Sequence, residues 1–227
     1  MGVEVSRAPY MYRLVDRLRQ HKITTVVDVG ANEGQYATKL LAARYRDSII
    51  SIEPLRAPFD RLAAKAAKRP NWEVVHAAMG AEPGTLTVHI AGNSQSSSVL
   101  PMLDLHASAA PASQYVGTQD VPASTVDELL GTRFIDPAAC FLKIDVQGYE
   151  SAVLDGASHT LADMAMVELE LSLAPLYAGQ ALMPELVQRM ADNGLVPWAL
   201  KPAFADSRNG RLLQVDGVFI RIGAGPD

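Results

Sequence analysis

Thr25-Val26-Val27-Asp28-Val29-Gly30-Ala31-Asn32-Glu33-Gly34-Gln35-Tyr36 is the stretch from which the fold can be read. Val26, Val27 and Val29 form a β-branched apolar run, the composition of a buried strand. The run breaks at Gly30, Gly34 follows at i+4, and a helical pattern begins there. Strand, glycine turn and helix so close together make a unit able to cradle a nucleotide. Glycine lets backbone approach a ligand, and the new helix offers unpaired N–H groups.

Upstream, residues 10–20 read as a helix with Leu14, Val15 and Leu18 on one face. It could pack over the sheet, cover the ligand or mediate a homodimer. Residues 1–8 carry no periodicity. Downstream, the spacing predicts a helix over 34–45, a strand over 48–53 stopped by Pro54, a helix over 57–68 and a strand over 72–76. Gly80, Pro83 and Gly84 make a turn, and 85–90 reads as an extra edge strand. Residues 91–124, with Ser94, Ser96, Ser97 and Ser98, lack periodicity and predict a long loop acting as a substrate lid. A helix over 125–131 capped by Ser124 or Thr125, a strand over 140–146 and a helix from Tyr149 to Leu154 follow. The chain continues with a strand over 165–171, a helix over 183–193 and strands over 195–200 and 212–222. This alternation predicts one α/β domain over 1–227, with a Rossmann-like, seven-stranded, mostly parallel sheet and helices on both faces. The connection 201–211 is too short for a crossover helix, so the terminal pair should be an antiparallel hairpin.

The chain has 227 residues, 48% apolar and 20% charged, with a net charge of −5. That suffices for a full core and argues against nucleic acid as a partner. Cys140 is the single cysteine, so an intramolecular disulfide is excluded and a reducing cytoplasm is expected. No signal-like or membrane-spanning run stands out, which again favours a cytoplasmic protein away from membranes.

In open α/β sheets ligands sit at the carboxyl ends of the strands. The polar residues there are Asp28, Gly30 and Asn32, then Glu53, His76, Asp145 with Gln147, Glu170 with Ser172, and Asp216. Glu53 follows the glycine turn by roughly 20 residues, where an acid can accept from a ribose diol. Asn32 replaces the middle glycine of a dinucleotide fingerprint, and Asp28 precedes the turn. Both features suit a phosphate-free ligand with an amino-acid tail, such as S-adenosylmethionine, whose amino group Asp28 could hold. A nicotinamide dinucleotide site stays open on the motif alone.

Several segments together resemble the FkbM family of class I S-adenosylmethionine-dependent O-methyltransferases. They are Val26 to Tyr36, Ile52-Glu53-Pro54, Ala77-Ala78-Met79-Gly80, Ser96-Ser97-Ser98, Phe141 to Glu150, Glu168 to Leu173 and Gln214 to Arg221. Gln147 departs from the family, which commonly has Glu there. The resemblance implies cofactor contacts at Gly30, Asn32, Gln35, Glu53, Ala78 and Met79; Tyr36, Ser98 and Asp145 are expected to bind the cofactor as well. It implies that Asp145 lies where cofactor meets substrate, and that the acceptor is a small-molecule hydroxyl, a sugar in the leading reading.

A hydroxyl needs a base or a metal to become a nucleophile. Asp145, Glu170 and Asp216 offer hard oxygen ligands for Mg²⁺. His106, delivered by the lid, is the alternative catalytic base, with His76 second. Two other readings compete. An NAD(P)-dependent oxidoreductase or epimerase would need a Tyr-x-x-x-Lys couple, and none is suitably placed. A non-catalytic nucleotide-binding partner protein would have no need of so many strand-end acids.

Overall fold

The computed structural model describes residues 10–223; the expectation for residues 1–8 falls outside them. A seven-stranded sheet has the order β3-β2-β1-β7-β8-β10-β9. Its first half is β1 (Thr25–Val29), β2 (Ser48–Ile52) and β3 (Trp72–Val75); its second is β7 (Cys140–Ile144), β8 (Met166–Ser172), β9 (Leu195–Ala205) and β10 (Leu212–Arg221). The strands from β3 to β8 run parallel, while β10 is antiparallel to both β8 and β9. The predicted seven strands and terminal hairpin are therefore present. Burial on both faces explains the continuous apolar runs: every residue of β1, β7 and β8 is buried.

Helices α1 (Tyr10–Gln20), α2 (Gln35–Ala42) and α3 (Arg56–Ala66) flank the first half of the sheet. Leu14, Val15 and Leu18 of α1 join one core with Val26, Leu40 and Phe141, and α1 lines neither ligand cavity, so it packs and does not cover. The opposite face holds α5 (Val126–Arg133), α6 (Glu150–Asp155) and α7 (Met183–Asp192), whose Leu130, Val153, Leu154 and Leu186 pack against Val27, Leu142 and Leu169. Thr125 caps α5 by accepting from Glu128 N at 3.1 Å. Among the described residues no helix is long and apolar enough to cross a membrane.

Residues 91–124 are not a structureless lid. They hold α4 (Asp104–Ala109) and β6 (Tyr115–Ser124), and β6 pairs antiparallel with β5 (Gly84–Ala91) and parallel with β4 (Ala78–Met79). The expected edge strand therefore belongs to a second, three-stranded sheet. In β6 only Val121 and Ala123 are buried, and Gly117 and Pro122 interrupt it, so no period-two signal exists to read. What remains irregular is a strap, residues 92–99, held to β5 by His89 N–Ser98 O at 2.8 Å.

Candidate active site

Strand order reverses between the parallel strands β1 and β7, the switch point where an open sheet leaves a crevice. Gly30 and Asp145 face each other across it. Gly30 has φ +78°, and a Cβ there would meet the Asp145 carbonyl oxygen at 1.9 Å, so only glycine fits. The turn is pinned to β2 by Gly30 N and Ala31 N donating to Ile52 O at 3.1 and 2.9 Å.

Glu53 is almost fully buried beside this turn. Its Oε2 accepts from Asn32 N and its Oε1 from Leu55 N, both at 2.8 Å. Burial pushes its pKa up to about 7 against the pull of those two donors. Each carboxylate oxygen keeps a second lone pair for another donor. A cavity of about 580 Å³, counted to its open mouth, opens above it, lined by Gly30, Asn32, Glu53, Ala78, Met79 and Ser98, among others. The strap closes this cavity with Ser94, Gln95, Ser97 and Ser98. Asn32 Nδ2 donates to Ser94 Oγ at 3.2 Å, and Ser98 Oγ donates to Gln147 O at 2.7 Å.

A larger polar cavity of about 1430 Å³, counted to its open mouth, adjoins the first. The two share Gly30, Asn32, Gln95, Asp145 and Gln147. Gln35, Tyr36, Glu170, Asp216 and His106 line only the larger one. Gln35 and Tyr36 thus sit on the far side of the junction from the Glu53 cavity.

Beneath the junction, strand register lines up charges of alternating sign. Asp28 pairs with Lys143 and Lys143 with Glu168 as cross-strand neighbours. Lys143 Nζ lies 3.1 Å from Asp28 Oδ1 and 3.2 Å from Asp145 Oδ2. Burial alone would lower the Lys143 pKa, but the carboxylates of Asp145 and Asp28 outweigh it and hold the ammonium charged. Asp28 is fully buried, with Ser51 Oγ donating at 3.4 Å, and lines neither cavity. Asp28 is therefore no direct ligand for an amino group; it anchors Lys143. Tyr36 OH donates to Glu168 Oε2 at 2.5 Å, and burial pushes Glu168 up to about 7.

The turn after β7 is held by Glu150 Oε1, which accepts from Val146 N at 3.1 Å and Gly148 N at 3.2 Å. Gln147 takes a left-handed φ of 57° there. Its Nε2 donates to Asp145 Oδ1 at 2.9 Å and to Glu170 Oε2 at 2.8 Å. Burial, then the nearby Asp145 and Glu150 charges, push the Glu170 carboxyl well above its ordinary range.

Two expectations need correction. Among the described residues no group of three or more His, Cys, Asp or Glu side chains can hold a metal ion. Asp216 is bound to Lys201 at 2.5 Å, and the Gln147 amide stands between Asp145 and Glu170. His106 is not carried by a mobile lid: it rides α4, packed 5.1 Å from the rings of both Tyr177 and Phe204. Burial lowers its pKa to about 4, which makes it a neutral, weak base at pH 7. His76 lines neither cavity and packs 4.7 Å from Phe59.

Sequence reasoning missed Lys143 and Glu150 as parts of the site, Phe204 as its wall and the buried Tyr177 as the support behind Gln147. Lys143 had a signal, a lone charge inside the apolar run Cys140–Ile144. Tyr177 had none, since its hydroxyl reaches Gln147 Oε1 at 2.8 Å and Ser96 O at 3.1 Å across long sequence separations.

Comparison with known proteins agrees with this architecture. No curated protein matches the chain significantly. Among solved structures, the FkbM methyltransferase of Methylobacillus flagellatus KT aligns with TM-score 0.50 and 14% identity over 86% of this chain. The chain spans 44% of that protein's length. An rRNA methylase of Streptococcus thermophilus aligns with TM-score 0.50 and 7% identity, over 93% of this chain and 94% of its own. At such identities the likeness is one of fold. The model of the methyltransferase FkbM domain matches residues 28–196, which include the glycine turn, Glu53, the strap and the Asp145 turn. The chain belongs to the FkbM family of S-adenosylmethionine-dependent methyltransferases.

Proposed function

We propose that the protein is an O-methyltransferase that moves the methyl group of S-adenosylmethionine to a hydroxyl of a polyhydroxylated small molecule, a sugar or oligosaccharide. The observation that carries this reading is the meeting of two cavities at Asp145: one with an acid for a ribose, one large and polar.

The smaller cavity suits the cofactor. The Gly30 turn leaves space no side chain can fill, Glu53 has free lone pairs for a ribose diol, and Ala78 and Met79 give an apolar wall. When bound, the cofactor supplies an electrophilic sulfonium methyl. Asn32 and Gly30, common to both cavities, border the point where that methyl would face the acceptor.

The larger cavity suits an acceptor rich in hydroxyls. Amides of Gln35, Asn93, Gln95 and Gln214 offer donors and acceptors, and Phe204 stacked on His106 gives an apolar plate for a ring's C–H face. Asp145 is the half-exposed acid at the junction. Lys143 on Oδ2 and the Gln147 amide on Oδ1 hold the carboxylate in place, leaving lone pairs to accept the acceptor's O–H. Held so, Asp145 orients the hydroxyl for in-line attack and takes its proton. The strap excludes water from the junction.

A thermal-shift screen with S-adenosylmethionine, S-adenosylhomocysteine and NAD(P), followed by transfer of labelled methyl to a saccharide panel, tests the reading. Stabilisation by both sulfur nucleosides and label on a hydroxyl are expected. Stabilisation by NAD(P) alone would sink it.

A further inference from the structure

We propose that the Gln147 carboxamide occupies the place between Asp145 and Glu170 that a divalent cation would otherwise take, and so positions Asp145 for the acceptor without a metal. The proposal rests on the role given to Asp145 above.

One nitrogen lies 2.9 Å from Asp145 Oδ1 and 2.8 Å from Glu170 Oε2. A primary amide has two N–H groups, one for each carboxylate. The nitrogen is fixed in that direction because Oε1 takes the Tyr177 hydroxyl at 2.8 Å. The backbone is equally fixed. Gln147 O accepts from Ser98 Oγ, and Glu150 clamps the amides on either side of the residue. The side chain therefore cannot swing aside to admit an ion. A third oxygen is lacking too, since Asp216 is bound to Lys201. Gln147 touches both carboxylates, the strap's Ser98 and the hydroxyl of the buried Tyr177, so it ties the acid at the junction to the structure packed behind it. The amide hydrogens carry partial positive charge to the two acids, as a metal would, but in fixed directions.

Mn²⁺, which shares the preference of Mg²⁺ for hard oxygen ligands, is the probe. Binding is followed by electron paramagnetic resonance and calorimetry on the full chain at neutral pH. The wild type should show no bound Mn²⁺ that depends on Asp145. Gln147→Glu places a third carboxylate at the centre and should bind Mn²⁺ at least roughly tenfold more tightly than the wild type, since affinity rises with ligand charge. Gln147→Ala empties the centre, keeps both acids and should fall between the two; it carries the test if Gln147→Glu does not fold. Mn²⁺ bound by the wild type and lost in Asp145→Asn would overturn the proposal, as would folded variants that gain no Mn²⁺. S-adenosylhomocysteine titration of the same samples separates the two readings. Cofactor binding without the Mn²⁺ pattern overturns only the role of Gln147, whereas a wild type that binds no cofactor overturns the methyl-transfer reading itself.

Discussion

Replacing Lys143 by methionine tests the charge row under the site. The ammonium is the partner of Asp28, which has no exposed surface, and its side chain is itself only 8% exposed. Met fills nearly the same volume, so the change removes charge with little change in packing. Breaking a buried ion pair by deleting one partner costs about 3–5 kcal/mol, because the remaining charge must be protonated or stay unpaired. For a chain of this size each kcal/mol lowers Tm by about 2–4 °C, so a fall of about 6–20 °C is expected. Calorimetric unfolding without ligand measures it. The control is Asp28→Asn with Lys143→Met, which removes both charges and should recover most of the loss, since replacing both partners of a buried pair is often nearly neutral. A fall under about 2 °C for the single variant, or a double variant as unstable as the single one, would refute the assignment of Lys143 as the counter-ion of Asp28.

Three further outcomes follow from the same geometry. Glu53→Gln removes a charged acceptor from the ribose side and should weaken S-adenosylhomocysteine binding about 10–150-fold by calorimetry, from about 1.5–3 kcal/mol for a hydrogen bond to a charged group; an unchanged Kd would remove Glu53 from the cofactor site. Burial raises Glu53, Glu150 and Glu168 from an ordinary 4.5 to about 7, so the folded chain binds extra protons between those values. Unfolding free energy should therefore fall as pH rises from about 4.5 to about 7, by up to about 1.4 kcal/mol per pH unit per group, and Glu168→Gln should flatten the slope in urea titrations; a stability that rises over this window contradicts the shifts. His106→Phe removes a buried Nδ1 that has no hydrogen-bond partner, so stability should hold or rise by up to about 2 kcal/mol in urea midpoints and methyl transfer should persist; a hundredfold loss of transfer with cofactor binding intact would reinstate His106 as the base.

The parts of the fold legible in sequence are those where one residue type has one physical explanation. Val26 to Gly30 could only be a buried strand breaking into a turn, and Ile49 to Ile52 ending at Pro54 only a second strand. Glu53 was legible because its role depends on spacing along the chain. β6 was not, because its faces are mostly solvated and Pro122 sits within it. The site was legible only as a set of strand ends. Which acid faces the junction depends on register, and register placed Asp28 beneath the turn and left Asp145 at its edge. The metal expectation failed for a related reason. Counting acids does not reveal that Lys201 neutralises Asp216 from a neighbouring strand, or that an amide separates the other two.

The strap at residues 92–99 walls both cavities, with Gln95 common to the two. A wall in common makes occupancy of one cavity felt in the other. A ligand that strengthens the strap's contacts in one cavity firms the wall that the second ligand meets, so each should raise the other's affinity by the same factor. On the proposed methyl transfer the same linkage acts on departure: the strap would still be held by the spent cofactor as the methylated product leaves, so turnover should be governed by the order in which the two products let go.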